Sequence, residues 1–300
     1  MIEDHRWDNP TLRIWQQNLN KSYAAQHDML SHLSPERFDI ALIQEPYLDH
    51  NNFSRGNNHF RAIYPSTHGK ADALRTRSFL LISTRIPTAT WSAIPTGSPD
   101  ITAINLQTLN GPLLIFNVYN DCNHSDALMK LDNIVTETTG RLKAEGRNYT
   151  IVWAGDFNRH HPMWDEERNC HLFTNENLEK AELLISLTEK YDLAMTLPKD
   201  IATLEAANTK NLTRPDNVFM SQEAVEQVVR CDSDPSQRPA QTDHFPIFTT
   251  LNLATQTIRP KERWNFRATD WEKFKKKLAG ELTKIPPPKN PETRKPSKPP

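Results

Sequence analysis

Short apolar runs, each ending on or beside a carboxylate, an amide or a phenol, constrain this chain more than any other feature of its sequence. LRIWQQN (Leu12–Asn18) closes on Asn18, and DIALIQ (Asp39–Gln44) leads straight into Glu45. LLIFNVY (Leu113–Tyr119) ends on Tyr119, and TIVWA (Thr150–Ala154) runs into Gly155-Asp156-Phe157-Asn158. Asp216 stands before Asn217–Met220, and Asp243-His244 before Phe245–Leu251. Runs of this length and composition are read as buried strands. Strands carry distant sequence positions to a common edge, so residues at strand ends can converge on one site.

Phe79–Ser83 and Ile101–Leu106 are further strand candidates. Helices are expected from Ser22, as a cap, through Leu33; over His124–Lys143, with Leu128, Leu131, Val135 and Leu142 on one stripe and Gly146 past the end; and over Glu176–Lys190, with Ala181, Leu184 and Leu187 inward. Strands outnumber helices and the two mix irregularly, which points to sheets covered by helices and away from a regular alternating barrel. No internal repeat is present. The expected organisation is an N-terminal extension over 1–11, one domain over 12–254, a basic linker over 255–284 with Trp271, Phe274 and Leu278 at helical spacing, and a tail over 285–300 with seven prolines in sixteen residues.

Composition excludes several classes. Cys122, Cys170 and Cys231 are far apart and odd in number, so no zinc site and no disulfide framework is indicated, and three reduced thiols are expected. No stretch is apolar enough to span a bilayer, and the polar start, Met1 to Pro10, lacks the apolar core of a signal peptide. The expectation is an intracellular protein, nuclear if it acts on genomic DNA. The net charge of −1 hides a split: residues 259–300 carry 13 Lys/Arg against 5 Asp/Glu, and the preceding 258 residues 23 against 32. An acidic globule of this kind would meet nucleic acid only through a local patch, through bound cations or through the basic tail.

Oxygen ligands, amides, a phenol and one imidazole make up the strand-end set. Magnesium prefers carboxylates and water, and phosphodiester cleavage needs a cation against the phosphoryl oxygens, a proton acceptor for water, and donors where negative charge grows. Taken singly, Asn18 and Asn158 read equally as turn residues, Tyr119 as a core residue with its hydroxyl at the rim, and Asp243-His244 as an ordinary turn pair. His160 and His161, directly after GDFN, read as a surface turn, with substrate contact as the alternative. Arg75, Arg77 and Arg159 read as solvated charges, with phosphate contact as the alternative.

The ordered series QQN, QEP, NVYN, GDFN, RPDN and TDH resembles the endonuclease/exonuclease/phosphatase superfamily over about Leu12 to Leu253. The wording LRIWQQNLNKS, ALIQEP and WAGDFNRHHPMW, with RWNFRATDWEKF after the domain, is most like the endonuclease domains of non-LTR retrotransposons. The resemblance implies an α/β fold: a four-layer α/β sandwich with two mostly antiparallel sheets flanked by helices. It implies a magnesium-dependent phosphodiesterase, with manganese as an alternative ion, that nicks DNA to leave a 3′ hydroxyl. Glu45, Asn18 and Asp243 would lie at the metal. Asp156 would orient or deprotonate water, Asn158 and Tyr119 would hold the phosphate, His244 would contact the phosphate or move a proton, and Asp216 would orient His244. A monomer is implied, with DNA as partner, no membrane, and room for a reverse transcriptase domain beyond the C-terminus. A phosphatase acting on a small or lipid phosphate such as a phosphoinositide, and an inactive mobile-element remnant, are the alternatives.

Overall fold

A computed structural model of the chain describes residues 11–70, 74–253 and 269–284. Residues 1–10, 254–268 and 285–300, which hold most of the expected extension, much of the basic linker and the proline-rich tail, lie outside the described residues. Two compact units divide the chain, Met1–Arg259 and Pro260–Pro300.

In chain order the first unit contains β1 (Leu12–Asn18), α1 (Tyr23–His32), β2 (Ile40–Gln44), β3 (Phe60–Ile63), β4 (Ser78–Ser83), β5 (Trp91–Ile94), β6 (Ile101–Thr108), β7 (Gly111–Tyr119), α2 (Asp126–Ala144), β8 (Thr150–Asp156), α3 (Asn175–Lys190), β9 (Leu193–Met195), β10 (Leu204–Glu205), β11 (Leu212–Thr213), β12 (Asp216–Ser221), α4 (Gln222–Val225), β13 (Val228–Ser233) and β14 (Ile247–Leu251). One six-stranded sheet has the order β13-β14-β1-β2-β4-β3 and the other β5-β6-β7-β8-β12-β9. Within each, a single parallel pair interrupts antiparallel neighbours: β1 with β2, and β7 with β8. Each parallel pair is joined through a helix, α1 in one sheet and α2 in the other, as parallel strands require.

Alternation along each strand explains the layers. Ile14, Ile40, Leu42, Leu80 and Ile82 of the first sheet meet Ile104, Leu106, Leu113, Ile115, Val152 and Ala154 of the second in one core cluster between the sheets. The intervening residues point outward: Trp15, Ala41, Ile43, Phe79 and Leu81 pack with Ala25, Met29 and Leu33 around α1. Leu114, Phe116, Ile151 and Trp153 pack with Leu128, Leu131, Val135, Ala181, Leu184 and Leu187 of α2 and α3. Side chains alternate with period two, so a strand buried on both faces reads as an unbroken apolar run. The result is the expected four-layer sandwich. Burial of each large aliphatic side chain contributes roughly 1.5–3 kcal/mol against the exposed state.

Ser22 caps α1, its hydroxyl accepting from the Ala25 N–H at 3.1 Å. Gly146 follows α2 with φ +65°, the left-handed conformation that suits a helix end. The three cysteines are free thiols. The second unit contains α5 (Trp271–Leu282), on which Trp271, Phe274 and Leu278 are exposed. No helix among the described residues is long and apolar enough to cross a membrane.

Candidate active site

Register places the strand-end residues on one edge. In the first sheet Asn18 stands opposite Gln44, the residue before Glu45. In the second, Tyr119 stands opposite Asp156, and Asp156 opposite Asp216. Because β1, β2, β7 and β8 arrive at this edge and β12 and β14 depart from it, ends and beginnings of strands meet there. His244 enters just ahead of β14, and its segment pairs with Leu204, the Glu205 N–H donating to the Asp243 carbonyl at 3.0 Å and the Phe245 N–H to the Thr203 carbonyl at 2.7 Å.

Gly155 permits the approach. Its φ is +154°, and a Cβ there would lie 1.9 Å from the Val118 carbonyl oxygen of β7. A residue with a side chain would therefore drive β8 away from β7 immediately before Asp156. The next positions are also special: Asn158 has φ +49°, and across the site Glu45 has φ +45°. Left-handed backbone at non-glycine residues costs of order 1–3 kcal/mol and persists where surrounding structure imposes it.

Asp156, Asp216 and His244 form a buried cluster whose ligand atoms lie within 4.8 Å of one another. His244 Nδ1 shares a 2.7 Å hydrogen bond with Asp216 Oδ2. Its Nε2 lies 3.9 Å from Asp156 Oδ2 and 3.9 Å from Asp243 Oδ1. The Asn18 amide donates to Asp156 Oδ2 at 2.8 Å, and the Asn158 N–H to Asp156 Oδ1 at 3.1 Å. The Asn158 side-chain amide donates to the Asn120 carbonyl at 2.9 Å. Burial and the charge of Asp216 push the Asp156 carboxyl well above the usual carboxylate range, against the opposing pull of His244 and Asn18. Burial pulls His244 down, but the charge and hydrogen bond of Asp216, with Asp156 and Asp243 behind them, override it and hold the imidazole protonated well above its ordinary range.

Glu45 faces the same space. Its carboxylate hydrogen-bonds the Tyr119 phenol, and burial together with the charges of Glu45 and Asp156 raises that phenol's pKa. Lys21 Nζ stands 2.6 Å from Glu45 Oε1, a cation already held where the carboxylate opens. The guanidinium of Arg77 lies 4.8 Å from the Tyr119 ring centroid.

The fit of a metal ion differs between the two halves. Asp216 is saturated: Gln16 donates to Oδ1 at 3.0 Å, while Thr203, at 2.9 Å, and His244 occupy Oδ2. Glu45 offers a carboxylate whose Oε1 is met by the Lys21 ammonium, and a carboxylate is what a hard dication takes. Two buried acceptors of these elements, Asn120 Oδ1 and Gln16 Oε1, have no hydrogen-bond partner, an uncommon and costly state. The donor chemistry fits a divalent cation at Glu45 and suits Asp216–His244–Asp156 to proton handling.

Several residues stand differently from expectation. Arg159 is neither solvated nor aimed at a phosphate: it is buried, and its guanidinium donates to the carbonyls of Lys180, Asp121, Asn158 and His124. Arg77 is spent on Asp100 and Asp121. His160 is bound to buried Asp165 at 3.1 Å, and His161 lies 5.3 Å from Trp164, so the pair organises the 160–165 turn and is more than a solvated surface. Sequence reading missed the residues behind the site. The Gln16 amide donates to Asp216 and, at 2.7 Å, to Gln44; Gln44 donates to Asn117; and Asn117 donates to the Ile43 and Phe79 carbonyls at 2.9 and 2.8 Å. Amides inside otherwise apolar runs, QQ in β1 and the N of IFNVY, were the available signal. Thr203 gave none.

Residues 113–248 match the family model described as endonuclease-reverse transcriptase. Among solved structures, the fold is similar to the endonuclease domain of TRAS1, a telomere-specific non-LTR retrotransposon, with 16% identity, 81% of this chain and 98% of that chain covered, and a TM-score of 0.62. It is similar to the AP endonuclease LMAP from Leishmania major (13% identity, 80% and 87% covered, TM-score 0.62). An AP endonuclease from Archaeoglobus fulgidus superposes with 15% identity, 80% and 99% covered, and a TM-score of 0.55. No curated protein matches the sequence. The chain has the fold of these endonucleases, and over residues 113–248 it matches the endonuclease-reverse transcriptase family.

Proposed function

We propose that this chain is a magnesium-dependent DNA endonuclease that nicks a strand and leaves a 3′ hydroxyl. The observation that carries the proposal is the buried Asn18–Asp156–His244–Asp216 arrangement facing Glu45 and Tyr119 across one sheet edge. Glu45, with Asn18 and Asp243 nearby, would hold the ion, which when bound supplies positive charge against the phosphoryl oxygens. Manganese would serve the same donors.

Asp156 is suited to accept a proton from water. Its carboxyl is raised toward neutrality, where a general base works best, and Asn18 and Asn158 fix its two oxygens. As the water oxygen bonds to phosphorus, the bond from phosphorus to the 3′ oxygen breaks, that oxygen takes a proton from solvent and ends as a hydroxyl, and the phosphate stays on the 5′ end of the following nucleotide. His244, kept charged by Asp216, offers its Nε2 proton to the phosphoryl oxygen where negative charge grows. Tyr119 and the Asn158 amide are the neutral donors for the remaining oxygens. Acting on genomic DNA, the enzyme would work in the nucleus. A reverse transcriptase to extend the hydroxyl is the partner this chemistry would serve.

The test is nicking of supercoiled plasmid with magnesium and with EDTA, followed by polymerase extension of the nick. Asp156→Ala and His244→Ala should each lower the rate by about 10²- to 10⁴-fold while the protein stays folded by circular dichroism. Release of phosphate from a soluble inositol phosphate, without plasmid nicking, would replace DNA with a small phosphoester as substrate.

A further inference from the structure

Two clusters of aromatic rings, one of them beginning two residues beyond Glu45, have no role in the chemistry above. Tyr23 at the start of α1 and Phe53 in the loop after Tyr47 are 50% and 55% exposed. Scattered exposed rings need no explanation, but each of these two belongs to a cluster of rings. Tyr23 meets Tyr47 edge-on at 5.2 Å, and Phe53 lies 5.7 Å from His68, which stacks on Tyr64 at 4.1 Å and 16°.

One buried side chain ties the two clusters together. Gln26 is fully buried; its oxygen accepts the Tyr47 N–H at 2.9 Å, and its amide donates to Ser54 Oγ at 2.6 Å and the Arg55 carbonyl at 2.7 Å. The Ser54 N–H in turn donates to the Tyr64 hydroxyl at 2.8 Å. The rings are thus positioned in advance, which lowers the ordering cost of binding.

We propose that this surface binds an unpaired stretch of a nucleic-acid strand, with bases stacking on Tyr23 and Phe53 next to the scissile phosphate; this rests on the phosphodiesterase reading of the site. Charge favours that occupant. Arg55 stands 5.9 Å over the Tyr23 ring, and Lys21, two residues before Tyr23, contacts Glu45. The nearby Asp49 carboxylate is engaged by the N–H groups of Asn51 and Phe53, at 2.9 and 3.0 Å, and so shapes the loop that presents Phe53. Burial holds His68 below its ordinary pKa, so it serves as a ring more than as a cation. Rings interleaved with cations recognise bases and phosphates together, whatever the sequence. A duplex hides its base faces in its own stack, whereas a splayed strand offers them. The enzyme would therefore favour flaps, junctions and opened duplex, with the strand leaving Glu45 across Tyr47 and Tyr23.

The test is fluorescence anisotropy in EDTA, using the whole chain, a labelled single-stranded oligonucleotide and the same sequence as a blunt duplex. The single strand should bind at least about tenfold more tightly. Tyr23→Ala and Phe53→Ala should each weaken it by about tenfold and leave duplex binding within about twofold. Tyr23→Trp and Phe53→Trp should retain binding, and Phe53→Trp should add an indole emission quenched by the oligonucleotide. Equal affinity for both oligonucleotides, or full affinity in the double alanine variant, overturns the proposal. Plasmid nicking with magnesium is measured in parallel. Ring-dependent binding without nicking would retain the surface and discard the endonuclease; nicking with ring-independent binding would do the reverse.

Discussion

Asp156 sits in an environment that resists its own charge. It is buried, faces Asp216, and is only partly compensated by His244. A buried carboxylate without full pairing costs several kcal/mol, and at a functional site that cost is the usual source of a stability–activity trade-off. The sign can be worked out. The folded-state pKa is raised, to about 7, so folding favours the protonated form. That contribution is fully present below the ordinary carboxylate value and is lost as pH rises through about 7. Asp156→Asn keeps an acceptor for Asn18 and removes the charge. In EDTA its melting temperature should match the parent near about pH 4 and exceed it increasingly up to about pH 8, by roughly 4 kcal/mol of stability, while nicking is lost. Thermal melts across that range check it; a variant less stable than the parent at the alkaline end would mean that Asp156 is well compensated. His244 behaves the same way in a higher window: its raised pKa contributes stability that is fully present below its ordinary value and is lost as pH climbs toward about 10.

At the scale of elements, legibility followed length and burial. Strands β1, β2, β4, β6, β7, β8, β12 and β14, most of them buried along nearly their whole length, announced themselves as apolar runs. The missed strands are short or at an edge. Phe60–Ile63 and Trp91–Ile94 have two central residues that are not buried, and Val228–Ser233 buries only Cys231, so alternation had too few positions to show. β10 and β11 have two residues each and exist through pairing with each other, which no local pattern encodes. The site was legible where residues close a strand, as at Asn18, Tyr119 and Asp156. It was illegible where support comes from another part of the chain, as Thr203 does for Asp216. Gly155 belongs between these cases: it stands in the sequence only as the residue that an apolar run leads into, and it proves to be a close-packing position. Gly155→Ala must displace backbone and should cost about 3 kcal/mol or more. Gly146→Ala, at φ +65° with open space around it, should cost about 1 kcal/mol. Paired denaturant titrations distinguish the two, and equal costs would show that φ alone, not the approach of β7, sets the requirement.

Across the whole molecule, the two sheets are joined near the site by polar groups as well as by aliphatic packing. Gln16 of β1 reaches Asp216 of β12, and Gln44 of β2 reaches Asn117 of β7, so one amide chain spans the sandwich behind the catalytic edge. Gln44→Leu would preserve the bulk and orphan an acceptor on Asn117, at about 1–3 kcal/mol. Nicking should fall with it, because Gln16 loses the partner that aligns it on Asp216; unchanged activity in a destabilised variant would make the chain structural only.

The charge split sets the last expectation. The first 258 residues hold nine more acidic than basic groups, and three of the acids, Glu45, Asp156 and Asp216, are buried at the edge where an anionic phosphodiester would have to approach. Coulomb repulsion at short range in such a setting is worth several kcal/mol, so a divalent cation would first relieve the protein itself. Millimolar magnesium should therefore raise the melting temperature, since a ligand bound at one hundred times its dissociation constant adds about 2.7 kcal/mol. EDTA should reverse the gain, and Glu45→Gln should abolish it while Asp243→Asn weakens it. A magnesium shift that survives Glu45→Gln would move the ion to the Asp156–Asp216–His244 cluster. That result would leave His244 without the partner its protonation depends on.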